Sequence, residues 1–462
     1  MTKRNILWIL LLICIPGISL YAQRTLSLDD IRNLAIQNNK ELKMATEEEK
    51  VAYYQKKEAF LKYLPKLSAN GTYLRNQKDI YLLEPSVLPP SITLPLPTGN
   101  LEIPTDALNE SLHEMGKLDT KNIWIGAVSL TQPLFAGGRI VAYNDIMKNA
   151  EELARSQKDT QLQGVIAELD AAYWQVVSLA DKKKLAESYL DLLKKMTSDI
   201  SIMQEEGVAT KADVLSVMVK MNEAEVALTK VDNGLVLSRM LLNQLCGLPI
   251  EEEVKLVDEN TMMAVSEEAA VVPSIEEALQ NRPEIKSLEL ATKIYKGKER
   301  VARAEFLPTV GFTANYLWTN PSSFNGFETK FGGMWNIGIA LSIPLNIFTS
   351  STKVNAAKAQ TRIQEYKLEE AKEKIELQVN QSSFKLNEAY KKYRASQKNM
   401  EKADENLRYA NVGFEEGVIP ASDVLAAHTA WLSAHSELID SQIDIKLSNV
   451  YLNKALGRSL NK

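Results

Sequence analysis

Glu205-Glu206-Gly207-Val208-Ala209-Thr210-Lys211-Ala212-Asp213-Val214-Leu215 returns 210 positions later as Glu415-Glu416-Gly417-Val418-Ile419-Pro420-Ala421-Ser422-Asp423-Val424-Leu425. In both versions a glycine separates two stretches that read as helix. Glycine takes most easily the left-handed turn that ends a helix. Thr210 and Ser422, with Asp213 and Asp423 behind them, offer oxygens to the open amides at the start of the next one. The phrase therefore reads as the tip of a helical hairpin, made twice.

On the N-terminal side of each tip the helical stretch is very long. Arg139 to Glu206 contains no proline and a single glycine, Gly164, and Lys353 to Glu416 is also free of proline. Apolar residues recur at three- and four-residue steps, as in Leu162, Ile166, Leu169, Tyr173, Val176 and Ala180. Helices of this size are about 100 Å long at about 1.5 Å per residue and must pack sideways on neighbours, as in a coiled coil. On the C-terminal side, shorter helices run from Lys211 to Gly247 and from Ala421 to Gly457.

Further outward the repetition continues in order. Trp124 and Pro133-Leu134 match Trp335 and Pro344-Leu345 at a separation of 211. Leu64-Pro65 matches Leu307-Pro308, and Tyr73 matches Tyr316, at a separation of 243. The same separation relates Ala35-Ile36-Gln37-Asn38 to Ala278-Leu279-Gln280-Asn281. The separation changes between Tyr73 and Trp124, so the extra residues of the first copy lie there. The reading is an internal duplication. A unit at 23–247 and a second at 275–457 are joined by an acidic linker, 248–274, with a tail at 458–462.

Between the helices each copy carries two strands. Proline disfavours helix in the residue before it, so Pro65 and Pro308 mark where helix gives way. Leu67, Ala69, Gly71 and Tyr73 then alternate with Lys66, Ser68, Asn70 and Thr72, and Val310, Phe312, Ala314 and Tyr316 alternate with small or polar residues. The return strands alternate from Trp124 to Pro133 and from Trp335 to Pro344, which makes Pro133 and Pro344 the other two strand–helix junctions. Strands of about 9–11 residues with period-two alternation suffice to cross a bilayer when tilted. Tyr73, Trp124, Tyr316, Trp318 and Trp335 gather toward the outer ends, where an aromatic belt would sit. Residues 77–121 hold six prolines, at 85, 89, 90, 95, 97 and 104, and read as a long loop without regular helix or central strand. The second connection, about 319–333, is shorter and rich in glycine.

Four strands cannot close a barrel, and open edges are not tolerated in lipid. More than one chain must therefore contribute, and closed rotational symmetry is the usual solution. The fold class is mainly α with membrane β, a helical coiled-coil barrel continuing a β-barrel.

The rest of the chain fits an exported protein. Lys3 and Arg4 precede an apolar run from Ile6 to Leu20, with Ala22 before Gln23, which reads as a signal peptide over residues 1–22. Its removal lowers the net charge from −5 to −7 by taking away Lys3 and Arg4. Cys14 lies in that run, so Cys246 has no internal disulfide partner. With 54 basic and 59 acidic residues and no basic block, the charge pattern argues against a nucleic acid partner.

The paired Glu-Glu-Gly-Val and Asp-Val-Leu tips, the doubled Leu-Pro entry and the run Pro133-Leu134-Phe135-Ala136-Gly137-Gly138-Arg139 together resemble the TolC family of outer-membrane channel-tunnels, over about residues 26–457. The resemblance implies a homotrimer whose twelve strands form one barrel in outer-membrane lipid above a periplasmic helical tunnel. It also implies partnership with a periplasmic adaptor and an inner-membrane pump, for drug efflux or type I protein secretion. Carried over by residue, it makes Gly207, Val208, Thr210, Asp213, Gly417 and Val418 adaptor-contacting tips, and places Asp423 and Phe414 at the tunnel entrance. The sequence departs from the family at Ala426, where a second Asp is common, and at Phe414 and Ile419, which replace a Tyr and an Arg of the closing latch.

No catalytic constellation, cofactor motif or metal site emerges. His428 and His435 share a helix face but lack companions at ligand spacing, and Ser351-Thr352-Lys353 lacks the glycines of a phosphate loop. The leading expectation is a passive exit duct, not an enzyme. A duct for protein secretion is the near alternative, and a periplasmic coiled-coil scaffold or adaptor is the alternative from another class.

Overall fold

A computed structural model of the chain describes residues 24–259, 273–322, 324, 328–345 and 347–458. The signal peptide and much of the acidic linker lie outside the described residues, as does all but the first residue of the tail. In chain order the elements are β1 (Arg24–Leu26), α1 (Leu28–Asn38), α2 (Lys40–Leu61), β2 (Lys66–Arg75), β3 (Ile80–Tyr81), β4 (Ser91–Leu96), β5 (Gly99–Pro104), α3 (Asp106–Met115), β6 (Lys117–Leu118), β7 (Asn122–Ala136), α4 (Arg139–Glu205) and α5 (Lys211–Cys246). After β8 (Val254–Leu256) the order recurs in shorter form: α6 (Ile275–Asn281), α7 (Pro283–Ala304), β9 (Thr309–Asn320), β10 (Gly332–Ser342), α8 (Ile347–Glu415) and α9 (Ala421–Ala455).

The chain divides into two compact units. One comprises Met1–Val51, Glu151–Ala291 and Glu365–Lys462. Its largest core joins Ile31 and Ala35 of α1, Leu169, Tyr173 and Val176 of α4, Leu242 and Cys246 of α5, and Val254 and Leu256 of β8. The three- and four-residue spacing on the helices gives one apolar face each, while Val254 and Leu256 flank the exposed Lys255 at strand spacing. Burying one such side chain contributes about 1.5–3 kcal/mol. Strand β8, within the linker, pairs in parallel with β1.

Polar groups inside this unit are paired. The fully buried Asp170 carboxylate accepts two bonds from the Arg32 guanidinium, at 2.9 and 2.7 Å, fastening α1 to α4. Removing either partner would strand a buried charge. The buried Tyr173 hydroxyl donates to Asp258 at 2.5 Å, and burial with that carboxylate raises its pKa, keeping it a donor.

The two halves use glycine alike. Gly247 ends α5 at φ 70°, where an added Cβ would lie 2.7 Å from Asn38 Cβ. Gly457 follows α9 at φ 69°, where a Cβ would lie 2.8 Å from the Asn281 carbonyl carbon. Each helical hairpin thus closes against the break between a short helix and a longer one, α1–α2 or α6–α7.

The second unit, Ala52–Ala150 and Thr292–Gln364, holds a four-stranded antiparallel sheet in the order β10-β9-β7-β2. The structure corrects three expectations, two in this unit and one in the other. Pro133 does not end its strand: β7 runs 15 residues to Ala136, and a register shift between Pro133 and Phe135 takes up the missing donor. The helix starts only after Gly137 and Gly138, both at positive φ. Residues 77–121 are not an irregular loop. The β3–β6 ladder, the β4–β5 hairpin and the ten-residue helix α3 order them; the prolines fall between these elements or, as Pro95 and Pro104, in the two-stranded β4–β5 hairpin, and none falls within α3. Pro420, not Ser422, is the N-cap of α9. Pro65, Pro308 and Pro344 do lie in the short junctions beside β2, β9 and β10.

Gly247→Ala and Gly457→Ala are each expected to lower stability by at least about 1–2 kcal/mol, the strain of a left-handed L-residue. Gly164→Ala, in open space within α4, is expected to be neutral or stabilising by up to about 1 kcal/mol. Thermal melts followed by helical circular dichroism would compare the three.

Candidate functional site

Two surfaces carry the residues singled out by the sequence, one in each unit. The first is the pair of tips. Gly207 adopts φ 77° and Gly417 φ 69°. Val208 N–H donates to the Met203 carbonyl at 2.8 Å, and Val418 N–H to the Gly413 carbonyl at 2.8 Å, the six-residue closure of a glycine-terminated helix. This leaves Val208 and Val418 as the most protruding apolar side chains of their turns, 67% and 79% exposed.

Beneath the tips a shared core joins all four long helices through Leu193, Ile200, Val217, Leu407, Ala410 and Val424. Phe414 packs partly buried against it, as does Ile419. Gly413 makes room for Ile419, whose side chain would stand 2.5 Å from an added Cβ.

The two tips differ in how they treat their acids. Thr210 and Asp213 form a reciprocal cap: Asp213 N–H donates to the Thr210 hydroxyl at 3.2 Å, and Thr210 N–H donates to the Asp213 carboxylate at 2.9 Å. Position 420, the counterpart of Thr210, is proline, which has neither hydroxyl nor N–H. Asp423 accordingly makes no capping bond; it is exposed and, among the described residues, its carboxylate accepts only from Ser422, at 3.3 Å. One acid is bound into the backbone and the other is presented to solvent. Sequence similarity hid this difference, although Pro420 signals it.

The two histidines diverge. His435 Nε2 lies 2.8 Å from the Asp404 carboxylate, which also accepts from Trp431 Nε1 at 2.7 Å. His428 is buried, and burial lowers its pKa.

The second surface is the sheet. Its register places Leu67, Leu130, Ala314 and Ile337 in one row across the four strands, and Ala69, Val128, Tyr316 and Trp335 in the next. Tyr73, Trp124 and Trp318 lie on this same apolar face. The Tyr73 and Trp124 rings are 4.5 Å apart, and Trp318 covers Gly126, where a Cβ would meet the indole at 2.0 Å. On the opposite face the rows read Ser68, Ser129, Asn315, Asn336 and Lys66, Thr131, Thr313, Gly338, with Asn315 donating to Asn336 at 2.9 Å. Leu74, Ile123, Ile125, Leu317 and Met334 interrupt it toward the end where β2 finishes and β10 begins. Leu67, Trp335, Ile337, Ile339 and Leu341 on the apolar face are exposed, and β2 and β10 each have one unpaired edge.

Comparison with known proteins bears on these surfaces. Residues 31–248 and 274–458 match the profile of a family described as outer membrane efflux protein. The chain is 24% identical over 328 residues to the alkaline protease secretion protein AprF of Pseudomonas aeruginosa, covering 70% of this chain and 67% of that one. It is 24% identical over 311 residues to the probable efflux pump outer membrane protein TtgC of Pseudomonas putida, covering 66% and 62%. The match thus spans less than two thirds of the latter's length. The solved structure of the outer-membrane channel OprN superposes with a TM-score of 0.75 at 16% identity, covering 94% of this chain and 91% of that one.

Thr210→Ala is expected to destabilise by about 1 kcal/mol near neutral pH. The Thr210 hydroxyl and backbone N–H hold the Asp213 carboxyl below its ordinary pKa. A carboxyl lowered on folding stabilises above its unfolded value, and that contribution is lost as pH falls through the folded one. The difference between Thr210→Ala and the parent in thermal melts should therefore shrink as the pH is lowered. Ser422→Ala should show little difference at any pH.

Proposed function

This chain belongs to the outer membrane efflux protein family, and from that premise we propose that it forms an exit duct through the outer membrane, conducting small molecules passively from an inner-membrane pump and a periplasmic adaptor. The observation that carries the proposal is the four-stranded sheet with one exposed apolar face, one polar face and two unpaired edges. In water an apolar face of this extent is a liability. In lipid it is the ordinary outer wall of a barrel, provided that every edge is closed. A soluble scaffold or adaptor offers no reason for such a face.

Two copies would supply eight strands, an interior that side chains fill. Three copies supply twelve and are the smallest ring that leaves a water-filled lumen, which supports a homotrimer. The polar rows from Ser68 to Asn336 then line the lumen, and Tyr73, Trp124, Tyr316, Trp318 and Trp335 face the bilayer. The parallel closures at Gly247 and Gly457 support duplication of one unit, with boundaries at 23–247 and 275–457.

In this reading Gly207, Val208, Gly417 and Val418 present the turns that meet the adaptor, while Thr210 and Asp213 hold the first turn's shape. Asp423, uncommitted to the backbone, supplies a ring of acids at the entrance, and Phe414 buttresses that entrance from its core position. The likeness to a protease secretion protein favours one further reading, the same duct carrying an exported protein. Deleting the gene distinguishes the two: raised sensitivity to toxic small molecules supports efflux, and loss of a protein from the medium supports secretion.

Purified protein in a planar bilayer is expected to give stepwise conductance from a trimer, with Asp423→Ala weakening cation preference. A monomer without conductance would overturn the duct. Ile339→Lys, on the apolar face, is expected to cost about 2–4 kcal/mol near mid-bilayer and to abolish outer-membrane assembly. Ser129→Lys, on the polar face, should assemble normally and shift the reversal potential toward anions.

A further inference from the structure

The duct accounts for the sheet and the tips but leaves residues 83–116 unused, and these form a built structure. The β2–β7 hairpin continues past its last paired residues through Asn76 N–H to the Lys121 carbonyl at 2.9 Å and then the β3–β6 ladder. Above this stem the buried Asn109 side chain bridges both backbone groups of Leu88, at 2.7 and 3.0 Å. His113 stacks on Tyr81 with centroids 4.3 Å apart.

From this base projects the β4–β5 hairpin, whose register puts Ile92, Leu94, Leu96, Leu101 and Ile103 on one face. All five are 39–49% exposed. An isolated two-stranded hairpin is at best marginal in water, and an aliphatic face of this kind needs a cover. Pro95 in β4 and Pro104 in β5 remove donors, which disfavours a third strand joining at the edges. The cover must come face-on. The face carries no aromatic and no charged residue, whereas surfaces for separate partners concentrate Tyr, Trp and Arg. A wholly aliphatic patch resembles the permanent interface between copies of one chain.

The topology says where such a copy would lie. The insert leaves from Arg75, the outer end of β2, which is one open edge of the sheet. The other open edge, β10, begins at Gly332 at that same end of the sheet and is preceded by Phe331, 61% exposed. Closing a ring sets β2 of one copy beside β10 of the next, bringing the root of the insert to the neighbour's Phe331.

Resting on the oligomeric barrel proposed above, we propose that residues 83–116 are a clasp between copies, the aliphatic face of the β4–β5 hairpin lying on the neighbouring copy's β9–β10 rim around Phe331. The full chain, assembled in the outer membrane, is treated with a short bismaleimide and run on a denaturing gel. Leu94→Cys combined with Phe331→Cys is expected to give covalent dimers and trimers, and neither single variant should. Thr72→Cys with Met334→Cys, across the two sheet edges, reports the barrel independently. Products from the edge pair with none from the clasp pair would overturn the clasp and leave the barrel standing; products from neither would overturn both. A bimane on Leu94→Cys quenched by brominated phospholipid in nanodiscs would also overturn the clasp and assign the hairpin to the lipid surface.

Discussion

A backbone amide placed in lipid has no water to bond with, and that constraint organises the whole chain. The inner strands β7 and β9 have partners on both sides, but β2 and β10 are each paired on only one. A protein that stopped there could not enter a bilayer. In the proposed duct the open edges are closed by further copies of the chain, and the alternation along each strand separates an apolar face from a polar one. On the apolar face Gly126 has a reason to be small: the Trp318 indole occupies the space of its missing Cβ.

The same requirement governs the helix ends, where four amides or four carbonyls are always left over. The tips meet it with a left-handed glycine closing one helix and a cap opening the next. The caps are unequal. Thr210 and Asp213 satisfy each other, whereas Pro420 can accept through its carbonyl but has no hydroxyl and no N–H to offer. Two similar turns thus differ in their chemistry, one acid bonded to the backbone and the other exposed to solvent. Below them the common core through Ile200, Val217 and Val424 prevents either turn from moving without repacking the other.

A similar economy holds where the hairpins of long helices close. Gly247 and Gly457 sit against Asn38 and Asn281, and each contact demands both a positive φ and the absence of a Cβ. The surrounding polar chemistry differs. Asn39 caps α2 through bonds to Glu41 and Leu42 and also reaches the Leu245 carbonyl. Arg282, its counterpart, instead binds Glu284 and Gln378. Backbone geometry constrains the glycines tightly, while side-chain partners can be exchanged.

Periodicity, proline and glycine are local signals, so the helices, the tips, the four strands and the order of both halves were legible from the chain alone. Leu67 to Tyr73 alternates whether or not a partner strand is present, and Gly207 breaks its helix by itself. What the sequence could not supply depends on residues far along the chain. Pro133 lies inside β7 because β9, some 180 positions away, holds the strand in register across the bulge. Residues 77–121 are ordered by bonds such as Asn109 to Leu88, which leave no periodic trace. The polar row from Ser68 to Asn336 exists only once four strands are aligned. Local chain physics determined the elements; long-range register decided which residues share a surface, because a side chain's neighbours across a sheet are set by pairing and not by spacing.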